Sequence, residues 1–115
     1  MADEYNWHAT NLSPEQFTDR EVKGVKVNED RLVICRTGNE FFALDGICPH
    51  AGAGLAGGWC SSQRDSIVCP LHRYEFDLET GKELTGKGLG LGTYPVKVED
   101  GKLFVGFKRK RWIFF

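Results

Sequence analysis

Long apolar runs are missing from this 115-residue chain. Nothing in it approaches the ~18–20 consecutive apolar residues that a membrane-spanning helix needs. The start, Met1-Ala2-Asp3-Glu4-Tyr5-Asn6, is polar and lacks the apolar stretch of a secretion signal, so a cytoplasmic location is expected. An excess of one charge is missing too. Lys and Arg number 15 and Asp and Glu 16, and the net charge of −1 sets up no general field for nucleic acid or an anionic membrane. No apolar spacing of a long helix is sustained, and no internal repeat appears. Cysteine is scarce, at four, which argues against a disulfide framework. The remaining composition, 41% hydrophobic and 27% charged, is that of one small globular domain over residues 1–115.

What is present is a succession of short β-prone runs. Trp7-His8-Ala9 reads as an edge strand, and Ser13-Pro14-Glu15-Gln16 as one capped helical turn, with Ser as N-cap and Gln completing a capping box. Val22, Val25 and Val27, then Leu32-Val33-Ile34-Cys35, then Phe41-Phe42-Ala43-Leu44 form three strands, with Gly38-Asn39 as a hairpin turn. Ser66-Ile67-Val68 and Tyr74-Glu75-Phe76-Asp77 follow. Tyr94-Pro95-Val96-Lys97-Val98, Asp100-Gly101 and Leu103-Phe104-Val105 close the chain as a second hairpin. The expected fold is all-β: a small domain of short antiparallel strands in layered sheets, with function carried on loops at one end.

Two of those loops hold the chemistry. Cys48-Pro49-His50 and Cys69-Pro70-Leu71-His72 each offer one thiolate and one imidazole. Such a set can divide by ligand type, two thiolates on one iron and two neutral imidazoles on the other iron of a [2Fe–2S] cluster. The same four residues could instead hold a structural zinc ion in an interaction module. Zinc fingers, however, pair Cys with Cys and His with His, and put the His pair on a helix. Once His50 and His72 are spent as ligands only His8 remains, so nothing supports a Ser or Cys nucleophile with a histidine base.

On these motifs the chain resembles the Rieske ferredoxin-like family, from Trp7 to about Phe107. Supporting blocks are Phe42-Ala43-Leu44-Asp45, Phe76-Asp77-Leu78-Glu79-Thr80-Gly81 and Tyr94-Pro95-Val96-Lys97-Val98. The resemblance implies one [2Fe–2S] cluster on Cys48, His50, Cys69 and His72, and one-electron transfer by a protein that is not catalytic alone. It implies a flavin- or NAD(P)H-dependent reductase as donor and an oxidoreductase or large subunit as acceptor. The chain is similar both to small subunits of NAD(P)H-dependent nitrite reductases and to ferredoxins of aromatic-ring dioxygenases. The Leu-Glu-Thr-Gly stretch and the Gly-rich approach to Tyr94-Pro95 lean toward the former.

Departures from the family pattern carry information. Respiratory members join their ligand loops by a disulfide, but Ala53 and Leu71 stand at those positions here. Hydroxyl donors of those members correspond to Phe76, which has none, and Tyr74, whose phenol reaches much further than a short Ser side chain and need not point at a sulfide, so fewer hydrogen bonds to the sulfurs are expected. The potential should then lie in the lower half of the roughly −150 to +300 mV Rieske range. Arg73 stands where the family often has Gly, and is read as a solvated side chain that, with Pro49 and Leu71, rims the docking edge. Gly52 is expected to bring a backbone N–H toward the cluster sulfides. Cys35 and Cys60 are expected to be free, buried thiols. The Gly86–Gly92 stretch lacks the helix of a nucleotide loop and is read as a plain or cluster-covering loop. Finally, Lys108-Arg109-Lys110-Arg111 followed by Trp112-Ile113-Phe114-Phe115 makes a basic-aromatic tail, expected to pack on its own domain or a neighbouring subunit and too short to span a bilayer.

Overall fold

A computed structural model of the protein describes residues 4–49, 52, 54–61, 63–71, 73–86 and 88–108. The tail beyond Lys108 lies outside the described residues. Ten strands follow in chain order: β1 (Tyr5–Ala9), β2 (Val22–Val27), β3 (Asp30–Thr37), β4 (Glu40–Asp45), β5 (Trp59–Cys60), β6 (Ser66–Val68), β7 (Glu75–Asp77), β8 (Thr93–Tyr94), β9 (Val96–Glu99) and β10 (Lys102–Lys108). Among the described residues the only helical pieces are single 3-10 turns at Pro14–Gln16 and Leu55–Gly57. In the first, Gln16 folds back so that its Oε1 accepts the Ser13 N–H at 2.7 Å, the interaction that the Ser-x-x-Gln spacing predicts.

The strands form three sheets, ordered β1-β10-β9, β2-β3-β4-β8 and β5-β6-β7. All the pairings between these strands are antiparallel. The four-stranded sheet is the middle layer, and the period-2 alternation of its side chains shows why. On β3, Leu32 and Ile34 enter one core with Ala43, Leu103 and Val105, while Val33 and Cys35 enter another with Leu44, Ile67 and Phe76. A strand buried on both faces has no polar side to show, hence the unbroken Leu32-Val33-Ile34-Cys35 run. The first core ties the middle sheet to β10; the second ties it to β6 and β7.

Turn chemistry sets the registers. Asp100 (φ 52°) and Gly101 (φ 77°) link β9 to β10 through the two-residue turn that Asp-Gly favours. The β2–β3 link uses Asn28 (φ 48°) and Glu29 (φ 72°) in the same way, a hairpin that the sequence announces only through Asn.

One expectation is corrected here. Cys35 and Cys60, read as free thiols, are joined as a disulfide across the second core. Sequence places them 25 residues apart, and only the stacking of β5 against β3 brings them face to face.

Candidate metal centre

The two cysteines of the ligand motifs leave the scaffold from neighbouring strand ends. Cys48 lies three residues past β4, in a segment closed on itself. The Gly46 N–H donates to the Arg31 carbonyl at 2.8 Å, and the Leu55 N–H donates to the Gly46 carbonyl at 2.7 Å. Ile47 and Gly54 form an isolated bridge across that segment. The Gly52 N–H donates to the Cys48 carbonyl at 2.8 Å, and its φ of 67° is one that glycine adopts without steric cost. Its N–H thus serves the loop backbone, where it had been expected to face the cluster sulfides; the left-handed turn is what requires glycine.

Cys69 follows β6 directly. Its N–H donates to the Tyr74 carbonyl at 2.7 Å, which closes the second loop as a tight bend. Arg73 within that bend has a φ of 59°. This accounts for glycine being common at the position, since an L side chain there costs about 1–2 kcal/mol. A Cβ on Gly58 would sit 2.1 Å from the Val68 carbonyl oxygen, so glycine also lets the first loop's return segment press against β6.

Both sulfurs are fully buried, and Cys48 and Cys69 are the free cysteines of the chain. They lie close enough for the Cys48 thiol to hydrogen-bond with Cys69. Burial pushes the Cys69 thiol above its ordinary range, a hydrogen bond from the Leu71 N–H pulls it back, and the Cys48 thiol pushes it up again. A thiolate in a medium that does not solvate it needs a cation beside it to offset the lost water. The Leu71 N–H is a donor that a bound thiolate would retain. These residues therefore fit the thiolate half of a metal cluster. His50 and His72 lie outside the described residues. Among the described residues no three His, Cys, Asp or Glu side chains converge on one point.

A carboxylate that the motifs do not single out braces the first loop. Asp45, the last residue of β4, accepts the Gly92 N–H at 2.7 Å and the Tyr94 hydroxyl at 2.6 Å. The Asp45 N–H donates in return to the Gly92 carbonyl at 3.0 Å, and Leu91 is buried in the same core as Cys48 and Cys69. The glycine-rich stretch thus ends packed beneath the ligand loops. The only hint of this clamp in the sequence is that Asp45 and Tyr94 both sit inside family-like blocks. His8, as expected, is a hydrogen-bonding residue away from the site, 3.0 Å from Asn28 Nδ2 through Nε2.

Comparison with known proteins follows the same lines. The profile of the Rieske [2Fe-2S] domain matches residues 7–95. The ferredoxin component of the naphthalene 1,2-dioxygenase/salicylate 5-hydroxylase systems of a Ralstonia species is 34% identical over 92 residues, 79% of this chain and 86% of that protein. The ferredoxin of carbazole 1,9a-dioxygenase from Nocardioides aromaticivorans superposes with a TM-score of 0.80 at 26% identity, covering 87% of this chain and 96% of that one. A chain described as an NADH-dependent nitrite reductase small subunit from Mycobacterium tuberculosis superposes with a TM-score of 0.83 at 19% identity, covering 94% and 100%. That last likeness speaks to the fold alone.

Proposed function

Because the chain belongs to the Rieske [2Fe-2S] family and carries one [2Fe–2S] cluster, we propose that Cys48 and Cys69 hold one iron as thiolates. His50 and His72 hold the other through neutral imidazoles. The cluster supplies a one-electron acceptor and donor; the chain's own residues hold it, orient it and shield it. The burial of the two thiols walls them off from water; a bound cluster would exchange electrons through His50 and His72. The function is one-electron transfer. The observation that carries the ligand assignment is the pair of adjacent buried thiols at the bases of the two Cys/His loops.

The protein is read as a ferredoxin that takes electrons from an NAD(P)H- or flavin-dependent reductase and delivers them to an oxygenase. This reading is supported by 34% identity to a dioxygenase ferredoxin component along most of both chains. A second reading, small subunit of a nitrite-reductase-like oxidoreductase, is favoured by the Leu78-Glu79-Thr80-Gly81 and glycine-rich stretches, and the shared fold is compatible with it. Among the described residues no helix is long and apolar enough to cross a membrane. Placement in the cytoplasm, where NAD(P)H is held, belongs to the same proposal.

Replacing His72 by Cys tests the ligation. An added anionic thiolate should drive the midpoint potential down toward that of all-cysteine clusters, near −400 mV. An unchanged potential would show that His72 is not a ligand. Assays that couple NADH oxidation through the purified protein to an aromatic-ring oxygenase, or to nitrite reduction, separate the two system readings.

A further inference from the structure

Beside the second ligand loop lies a surface that cluster binding does not use. Trp59 on β5 is 43% exposed and Leu71 47%, with Pro70, next to Cys69, also exposed. Trp59 pairs with Val68, the residue immediately before Cys69, so its ring stands at the flank of the metal centre. The segment leading to it is continuous with the loop, for a Cβ on Gly57 would lie 3.8 Å from Pro70 Cγ. Arg73 is exposed, as expected, and its guanidinium lies over the indole, 5.9 Å from the ring centroid.

Arg73 is the informative member. Its backbone is left-handed, at a position where glycine would relieve the strain. Its side chain fills no core, and among the described residues it makes no ion pair. A strained residue whose side chain contributes little to folding points to use of that side chain elsewhere. The indole face draws the guanidinium toward it, and among the described residues its charge is paired with no carboxylate. Exposed Trp beside a fixed Arg, with Pro and Leu around them, is the composition of a binding hot spot.

We propose that the donor reductase docks off-centre, on Trp59 and Arg73 at the flank of the second ligand loop. That partner presents a carboxylate to Arg73 beside an apolar pocket that receives the indole. The proposal rests on the electron-transfer reading and adds to it the side of approach and the chemistry of the partner's face. Trp59 anchors the complex and Arg73 sets its orientation. Neither touches the electron, so loss of either should weaken association, and loss of the uncharged Trp59 should leave the potential alone.

The test uses holo-protein and a reductase purified from the source cells by its NAD(P)H-dependent reduction of this protein. Trp59→Ala and Arg73→Glu should each raise the KM for this protein about tenfold or more. In Trp59→Ala, kcat, the cluster absorption spectrum and the midpoint potential stay unchanged; in Arg73→Glu the absorption spectrum is kept while the reversed charge beside the second ligand loop lowers the potential. Trp59→Phe, which keeps an aromatic anchor, should recover most of the loss. The double variant should lose less than the product of the single losses, because the two side chains act together. KM values within twofold of wild type for both single variants would overturn the docking surface and leave the electron-transfer reading intact. If no NAD(P)H-dependent activity reduced a wild-type protein that dithionite does reduce, the reading and the surface would both fall. Sedimentation showing a dimer that Trp59→Ala dissociates would assign the patch to a second copy of the chain, and overturn the proposal as well.

Discussion

Single side chains at the base of the first ligand loop are doing work that can be measured. The Tyr94 hydroxyl and the Gly92 N–H share the Asp45 carboxylate. Tyr94→Phe strands one carboxylate oxygen, and should lower unfolding free energy by about 1–2 kcal/mol in urea titration. Burial first, and the Asp45 carboxylate second, hold the Tyr94 phenol above its ordinary value of 10.0. The folded state therefore keeps this proton more tightly than the unfolded state. Its contribution is whole below pH 10.0 and is lost as pH rises toward the folded value. Alkaline unfolding of wild type should show that loss, and Tyr94→Phe should not. At Arg73 a comparison isolates the backbone. Arg73→Gly and Arg73→Ala both remove the contact with Trp59, yet only Gly accepts a φ of 59° freely. The Gly variant should be the more stable by about 1 kcal/mol. Equal stabilities would mean that the loop relaxes out of the left-handed region.

Between elements, the brace that holds β6 to β7 decides how firmly the second loop is seated. Arg64 donates twice to the Glu75 carboxylate, at 2.6 and 2.8 Å, and the buried Ser66 hydroxyl donates to the same group. The Arg64 hydrogen bond is the main reason that the Glu75 carboxyl lies below its ordinary value of 4.5, against a burial cost that raises it. A depressed carboxyl contributes stability that is present above pH 4.5 and is lost as pH falls through the folded value. Acid should thus loosen β6 and β7 before the β2–β3–β4 sheet, with cluster bleaching ahead of loss of the far-ultraviolet dichroism. Glu75→Gln should bleach at a rate that varies less with pH over that window. If both proteins bleached with the same pH dependence, Glu75 would not be the group responsible.

For the whole molecule, the three layers make the disulfide between Cys35 and Cys60 a tie between the middle sheet, which leads into the first ligand loop, and the β5-β6-β7 sheet, which leads into the second. Thiol titration of the denatured, metal-free protein should therefore find two reactive groups, Cys48 and Cys69, and four after reduction. Cys35→Ser should keep its iron and lose about 3 kcal/mol of stability, as expected for a closed loop of this length. Four reactive thiols before reduction would return the pair to the free state read from sequence. The whole fold also bears on the potential. Phe76 is buried in the second core and brings no hydroxyl, so voltammetry of the holo-protein should place the midpoint in the lower half of the roughly −150 to +300 mV range.

Local pattern makes most of the strands and two of the hairpins legible in the sequence, and it marks Cys48, His50, Cys69 and His72 as the proposed ligands. Each is a local matter: alternation of period two, a turn residue that tolerates positive φ, and donors that share one short loop. Leu32-Val33-Ile34-Cys35 and Asp100-Gly101 are legible for that reason, and Cys48 and Cys69 stand where their motifs imply. Tertiary structure alone decided which distant groups meet. Nothing local links Cys35 to Cys60, Asp45 to Tyr94 or Arg73 to Trp59; each pair depends on how separate strands stack. The two-residue strand Trp59–Cys60 shows the same limit, since so short a run has no periodicity and exists only by pairing with β6. Local pattern reports the conformation of a segment, whereas partners across the core are chosen by the packing of layers, which no short window of sequence contains.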